Sequence, residues 1–215
     1  MSRLRLFAAL LLTGSLAACS VLPKSQVLSI YRLPASSLPS QHASADWALR
    51  VNKPHSSQLL DSTRIAVVPP GDQISAYQGV RWSDRAPLLL RDRLVDAFLD
   101  DGRLKAVSSD DSRLHADLEL DGDLRAFHSE YQNGRPAARI LFEARLVQSG
   151  SLRIIASKRF SVSQVAGDTS VPAVVNAFGQ AGDQLAREVL EWTLNQGQAA
   201  QRAINSDLPD SVTAR

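Results

Sequence analysis

LHADLELDGDLRA, residues 114–126, alternates apolar and polar residues without interruption. Its even positions hold leucine, alanine or glycine, whereas its odd positions hold His115, four carboxylates and Arg125. Successive side chains of a β-strand point to opposite faces of the sheet. This stretch therefore predicts a strand with one buried face and one solvated face.

Two later stretches, residues 138–147 and 152–162, repeat the same alternation. Asn133-Gly134 stands at the first joint and Gly150 at the second, and such residues favour tight turns. The three stretches together predict an antiparallel meander. Shorter strands are predicted at residues 26–33, 46–53, 63–69, 73–82 and 104–107, and a loop at residues 35–44.

A first helix is predicted from apolar residues that recur at three- and four-residue spacing. Ser83 or Asp84 can cap its start, Pro87 falls in the first turn, and Gly102 is the expected stop. The apolar stripe consists of Leu90, Leu94, Ala97 and Phe98, with Arg91, Arg93, Asp96 and Asp100 on the other faces.

A second amphipathic helix is predicted after Thr169 or Ser170, with Pro172 in its first turn and Gly197 as its end. Its apolar stripe is Val174, Val175, Phe178, Ala181, Leu185, Val189 and Trp192. The tail at residues 198–215 lacks an apolar pattern and is predicted to be disordered.

These elements predict an α+β fold, in which a mixed, largely antiparallel sheet carries two amphipathic helices packed on one face. The chain has 215 residues and 44% hydrophobic residues, which suffices for one domain with a sizeable core. We expect that single domain to span residues 26–197.

An acidic row, Asp117, Glu119, Asp121 and Asp123, lies on the solvated face of the predicted strand at residues 114–126. Hard cations need six to eight oxygens converging on one point, usually from a folded loop, whereas a straight strand spreads its carboxylates about 6.5 Å apart. Pairing with arginines of the neighbouring strands is favoured over a metal site. The candidate partners are Arg139, Arg145, Arg153 and Arg159.

The start of the chain has the three parts of a secretory signal peptide: a basic region, an apolar stretch and small residues before a cysteine. Residues 16–19, LAAC, resemble a bacterial lipobox, in which the signal peptide is cut between Ala18 and Cys19. The resemblance implies that diacylglycerol and an N-acyl chain modify Cys19, the only cysteine. Residues 1–18 are thus predicted to be the signal peptide and residues 19–25 a lipidated tether.

Two or three acyl chains hold a protein stably on a membrane, so we expect the mature chain to be membrane-tethered. Ser20 stands where an aspartate would, by resemblance to enterobacterial lipoproteins, retain the protein at the inner membrane. The expected location is therefore the outer membrane, facing the periplasm.

The charge balance indicates that the chain does not bind nucleic acid, and its lack of catalytic motifs indicates that it is not an enzyme. Removing residues 1–18 takes away Arg3 and Arg5, so Lys+Arg falls from 24 to 22 and equals the 22 acids. A chain of about zero net charge has no basic field for nucleic acid. The four histidines lack metal-ligand spacing, and no G-x-S-x-G or phosphate-binding glycine loop occurs. We therefore expect a protein that is not an enzyme and has no cofactor or metal apart from its covalent lipid.

Several short motifs follow the lipobox in a fixed order. Tyr31-Arg32-Leu33 ends a predicted strand, IAVVPP occupies residues 65–70, and A-Y-x-x-x-R-W occupies residues 76–82. Leu90-Arg91 and Leu94 follow in the first helix. This order resembles that of the ABC-type transport auxiliary lipoprotein family, over residues 26–195.

The resemblance implies a periplasm-facing lipoprotein that works beside an MCE-domain protein and an ABC transporter in moving phospholipids between the two membranes. It also implies a mixed sheet with two helices on one side. Members can form homo-oligomeric rings that dock an MCE tube. Two alternatives stay open: an assembly lipoprotein that partners an outer-membrane β-barrel for lipopolysaccharide, and a metal-dependent module built on the acidic row.

Three aromatic residues have two interpretations each. Tyr77 and Trp82 belong to the motif, and Trp47 lies in an earlier strand. Aromatic side chains are enriched at interaction hot spots, so they are candidate contacts to a partner or to a second copy. The alternative is that they seal the sheet against the helices.

Overall fold

A long meander forms one half of the main sheet, as the alternation predicts. The computed structural model describes residues 27–42, 44–71, 73–112 and 114–206. Three long strands, β8 (Leu118–Gln132), β9 (Arg135–Gln148) and β10 (Arg153–Val165), pair antiparallel in chain order. Asn133 and Gly134, both at positive φ, make the first turn.

The other edge of β8 is lined by short strands that follow one another along its length. The short strands of the whole domain, only some of which pair with β8, are β1 (Ser29–Tyr31), β2 (Ala45–Val51), β3 (His55–Ser56), β4 (Ala66–Val68), β5 (Ser75–Ala76), β6 (Val80–Trp82) and β7 (Leu104–Ser109). Strands β2, β3 and β4 all pair parallel with β8, β7 pairs parallel with β2, and β5 pairs antiparallel with β4. Strands β1 and β6 form a separate parallel pair.

The buried face of β8 changes register once. Leu118, Leu120 and Leu124 are buried on the core face, as the alternation predicts, but a bulge between Leu124 and Ala126 shifts the pairing with β9. Beyond it the odd residue Phe127 is buried. A β-bulge inserts one extra residue, and every later side chain then changes face.

Two helices, α1 (Ala86–Asp101) and α2 (Val171–Ser206), pack against each other and against one face of the sheet. The core between these layers includes Leu49, Phe142, Phe160, Leu90 and Phe178. The predicted fold class, an α+β domain with a mixed, largely antiparallel sheet and two helices on one face, is confirmed. Among the described residues, no helix is long and apolar enough to cross a membrane.

The first helix begins later than predicted. Its N-cap is Arg85 rather than Ser83 or Asp84, and no side chain caps it. Ser83 is still engaged in the extended segment, because its N–H donates to the carbonyl of Tyr31 at 2.7 Å. The predicted end is confirmed, since Gly102 adopts φ 75° and its N–H bonds to the Phe98 carbonyl.

Arg91 and Arg93 were predicted to lie on helix faces other than the apolar stripe, and these faces are not solvated at either position. Both are buried, because α1 is covered on more than one side. Arg91 is paired with Asp110 and Asp111 of a short 3₁₀ helix (Asp110–Ser112), at 2.9 and 2.7 Å. Arg93 is directed toward α2.

The second helix does not end at Gly197. Ser170 Oγ accepts the Ala173 N–H at 3.3 Å, which confirms the predicted cap, but the helix continues through residue 197 to Ser206. Residues 198–206 are therefore helical, and the rest of the predicted disordered tail lies outside the described residues. Gly197 provides a close approach: a Cβ there would lie 2.7 Å from Cη2 of Trp47.

Replacing Gly197 by alanine is expected to destabilise the domain despite the better helix propensity. The new methyl group would press on the buried Trp47 ring, and such overpacking costs about 1–3 kcal/mol, against about 1 kcal/mol gained from propensity. At Gly182 of the same helix the nearest atom, from Leu33, is 3.7 Å away. Gly182→Ala should therefore be neutral or stabilising in urea denaturation, and equal effects at both positions would contradict the packing argument.

The loop predicted at residues 35–44 has no regular secondary structure, but it is fixed across the helices. We call residues 34–42 the strap. Pro34 packs so closely on α2 that a Cβ added at Gly179 would lie 2.7 Å from the Pro34 side chain. The Leu38 N–H donates to the Asp100 carboxylate, and the Gln41 N–H donates to the Asp101 carbonyl at 2.7 Å. The strap connects β1 to β2 and contacts the C-terminal end of α1 and the interior of α2.

Candidate functional site

The helix-free face of the sheet carries a network of paired charges, which we call the charged face. Asp123 of β8 lies directly opposite Glu143 of β9, and like charges in this position repel. Arg145 bonds to Asp123 at 2.5 Å, while Arg125 and Arg159 bond to Glu143 at 2.9 and 2.5 Å. The arginines thus neutralise the two facing carboxylates.

Electrostatics on this face follow from these pairs. Hydrogen bonds from Arg125 and Arg159 lower the pKa of Glu143. For Glu119, burial acts to raise the pKa, but hydrogen bonds from Arg50 and Asn52 outweigh it and leave the pKa below its ordinary value. Both groups are therefore anionic at neutral pH, and solvent screens the exposed pairs.

Pairing of the acidic row with arginines is confirmed for its centre and differs at its ends. Arg145 reaches Asp121 and Asp123, as predicted. Two predicted partners pair with carboxylates outside the row instead: Arg159 bonds to Glu143, and Arg139 lies 3.6 Å from Glu130. Asp117, at the start of the row, accepts the Ala48 N–H rather than an arginine N–H. Arg153 has no ion pair among the residues that the structure describes.

Arg50 of β2 bonds to Glu119 and was not among the predicted partners. Strand β2 is 69 residues away in sequence and its parallel register could not be inferred from alternation. Within the described ranges, no group of three or more histidine, cysteine or acidic residues is arranged to hold a metal ion. The carboxylates bond outward to their arginines instead of converging.

Tyr77 is half-buried beside the core. Its hydroxyl donates to Ser129 Oγ at 3.2 Å. Burial raises the pKa of the Tyr77 phenol, and the hydrogen bond with Ser129 opposes this rise. Tyr77 thus joins the segment before β6 to the far half of β8, and only part of its ring can be reached from solvent.

Trp82 and Trp47 are buried, which favours the second of their two interpretations over contact with a partner. Trp82 is 0% exposed and packs edge-on against Phe178 at 5.2 Å and Phe127 at 5.9 Å between ring centroids. Trp47 is covered by α2 at Gly197. Both rings seal the sheet against the helices, because the short strands that carry them turn these side chains inward.

A buried ion pair joins the two helices and the strap. Arg93 of α1 donates to Asp183 of α2 at 2.8 Å and to the Ser36 carbonyl at 3.0 Å. Asp183 also accepts the Ser36 N–H at 3.1 Å. We call these three residues the strap clamp. Each partner alone resembles an ordinary charged helix residue, so no local signal in the sequence marks the pair.

Comparison with known proteins places this fold in a family. The family model described as ABC-type transport auxiliary lipoprotein component matches residues 31–190. The chain belongs to this family. The resemblance inferred from the motifs is thereby confirmed, and membership indicates a membrane-anchored lipoprotein on the periplasmic side.

Solved structures agree with this auxiliary lipoprotein in fold. A crystal structure of protein XCC0632 from Xanthomonas campestris is 34% identical, with a TM-score of 0.76, and the match covers 81% of this chain and 99% of that one. A crystal structure of an uncharacterized protein has 17% identity and a TM-score of 0.60, with coverage of 77% and 97%. This second likeness concerns the fold alone.

A protein of Bradyrhizobium diazoefficiens is 26% identical over 147 residues, or 68% of the auxiliary lipoprotein. The chain spans 39% of that relative's length. The match to the family includes Tyr77, Trp82 and the strap clamp, whereas Ala18 and Cys19 lie outside both the matched region and the described residues.

Proposed function

We propose that this chain is an outer-membrane-anchored, periplasm-facing component of an MCE/ABC-type system that moves phospholipids between the two membranes. It acts without catalysis, by docking or scaffolding the MCE-domain protein. Membership of the auxiliary lipoprotein family over residues 31–190 is the observation that carries this proposal. The anchor is Cys19, acylated with diacylglycerol and an N-acyl chain, and Ser20 favours export to the outer membrane.

The charged face supports docking rather than chemistry. Its ionisable side chains pair with one another across β2, β8, β9 and β10, and the described carboxylates do not converge on one point. Charged groups in complementary arrangement give orientation and partner selectivity. A rigid sheet covered with alternating charges therefore suits a protein partner with an equally polar surface, and a homo-oligomeric ring would repeat this face around an axis.

Cross-linking and capture of the full-length lipidated chain from membranes tests the proposal. We expect the captured material to contain an MCE-domain protein and ABC transporter subunits. Cys19→Ala is the matched control: the domain should fold with unchanged circular dichroism, but the protein should leave the membrane fraction and lose these partners. The loss follows because the acyl chains supply the stable membrane attachment.

Recovery of an outer-membrane β-barrel without any MCE-domain protein would instead support the lipopolysaccharide-assembly alternative. If Cys19→Ala stays firmly in the outer-membrane fraction, the lipid tether at this residue is excluded. These two outcomes are independent, because the first concerns the partner and the second concerns the anchor.

A further inference from the structure

The small sheet of β1 and β6 has an outward face that combines apolar and basic side chains. Leu28, directly before β1, is 46% exposed, and Ile30 within it is 56% exposed. Arg81 lies opposite Ile30 in the parallel register, and Arg32 follows at the next alternate position. We call these four side chains the β1 face.

The two arginines of the β1 face lack the carboxylate partners that Arg145 and Arg159 have on the charged face. Both are exposed, and within the described part of the chain neither side chain has an ion pair or hydrogen bond. On the charged face, in contrast, Arg145 and Arg159 bond to carboxylates. The β1 face therefore carries uncompensated positive charge beside exposed apolar side chains.

The β1 face is held rigidly on the domain. The Ser29 N–H bonds to the Gly79 carbonyl at 2.9 Å, and Tyr31 and Trp82, paired in register, turn toward the core. Pro34, at the start of the strap, packs closely against Gly179 of α2. Whatever binds the β1 face is therefore fixed in orientation relative to the whole domain.

The distance to the anchor limits what the β1 face can meet. Leu28 follows Cys19 by nine residues. Nine extended residues span at most about 32 Å. If Cys19 is lipidated, as the proposed function requires, the β1 face always lies within that distance of the membrane, which raises the effective concentration of lipid headgroups around it.

We propose that the β1 face rests on the anionic phospholipid surface of the membrane that holds the Cys19 anchor. Leu28 and Ile30 enter the boundary between headgroups and acyl chains, and Arg32 and Arg81 bond to phosphates. The β1 face consists of four side chains, whereas each partner in a stable protein interface contributes about 20–30 residues. A tethered surface needs only a weak contact to be oriented, so this face sets how the domain stands on the bilayer.

The single cysteine makes the proposal directly testable. In the lipidated protein the Cys19 thiol is blocked, so Ile30→Cys supplies the only free thiol for an environment-sensitive fluorophore. The labelled full-length protein is reconstituted in vesicles of phosphatidylethanolamine and phosphatidylglycerol with brominated acyl chains. We expect a blue-shifted emission and strong quenching by the bromines at position 30. A label at Ser157→Cys, exposed on the charged face, should show neither.

Charge reversal separates the basic contribution from the apolar one. Arg32→Glu with Arg81→Glu should reduce the quenching at position 30, because each basic residue near an anionic surface strengthens binding about fivefold. Vesicles of phosphatidylcholine alone, which carry no net negative charge, should likewise reduce the quenching at position 30 in the protein that keeps both arginines. An unchanged signal in both conditions would remove the arginines from the proposal.

Flotation of the vesicles tests the lipid tether at Cys19 separately from the membrane contact of the β1 face. If the protein does not float with the vesicles, the lipid tether of the proposed function has failed. If it floats and position 30 is quenched no more than position 157, the membrane contact of the β1 face is wrong while the tether stands. If position 30 is shielded from aqueous iodide but not quenched by bromines, a protein or a second copy covers this face, and the proposal is overturned.

Discussion

Replacing Trp82 by alanine is expected to lower the free energy of unfolding by about 3–5 kcal/mol, the range for removing a large buried aromatic side chain. The ring is fully buried and contacts Phe127 and Phe178, which themselves stack at 5.0 Å. Deleting it leaves a cavity between the sheet and α2 and removes two edge-on aromatic contacts. A natural domain of this size has only about 5–15 kcal/mol of stability, so a large part of it would be lost.

Urea denaturation followed by circular dichroism measures this loss, and two variants sharpen it. Trp82→Phe should cost less than alanine, because the indole N–H has no hydrogen-bond partner among the described residues and leaves no partner unsatisfied when removed. Tyr131→Ala, at an aromatic side chain of β8 that is 43% exposed, should destabilise the domain much less than Trp82→Ala. A Trp82→Ala protein of normal stability that lost a binding partner would instead restore the partner-contact interpretation.

Sequence alternation determined most of the sheet because its information is local. Residues 114–126 predicted both a strand and its buried face. The strand begins only at Leu118 and Leu114 is 59% exposed, but the even positions from Ala116 to Leu124 are buried as predicted. It fails after Arg125, where a bulge adds one residue. A bulge is set by the pairing with β9 and leaves no mark in the period of β8 itself, so the flip to Phe127 could not be read from this strand alone.

The roles of individual glycines and charged residues depend on tertiary contacts that the local sequence does not show. Gly102 and Gly197 both follow helical patterns, yet only Gly102 adopts the left-handed conformation that ends a helix. Gly197 is required by the ring of Trp47, which belongs to a strand 150 residues earlier. Likewise, charged positions on a helical wheel are assigned to solvent, and a residue such as Arg93 violates that rule only because a partner from another helix meets it.

Breaking the strap clamp is the second large effect that we expect. Arg93→Ala should lower the free energy of unfolding by about 3–5 kcal/mol, because it leaves the Asp183 carboxylate buried without its cation. The side chains of Arg93 and Asp183 are only 3% and 10% exposed, so water cannot replace the lost partner. Asp183→Ala should have a comparable effect, since it strands the guanidinium and the Ser36 N–H.

Three comparisons establish whether the strap clamp acts as a unit. Arg125→Ala removes an exposed arginine that bonds to Glu143, and it should destabilise the domain far less than either single variant of the strap clamp, because solvent screens exposed pairs. The double variant Arg93→Met with Asp183→Leu should be far less destabilised than the sum of the single variants, because a neutral pair removes both buried charges together.

Limited proteolysis supplies the structural readout: the single variants should be cut first within residues 34–42, because Ser36 loses the groups that hold it. Additive effects in the double variant, with a strap that stays resistant to protease, would show that packing of Pro34 on Gly179, rather than the ion pair, fixes this segment.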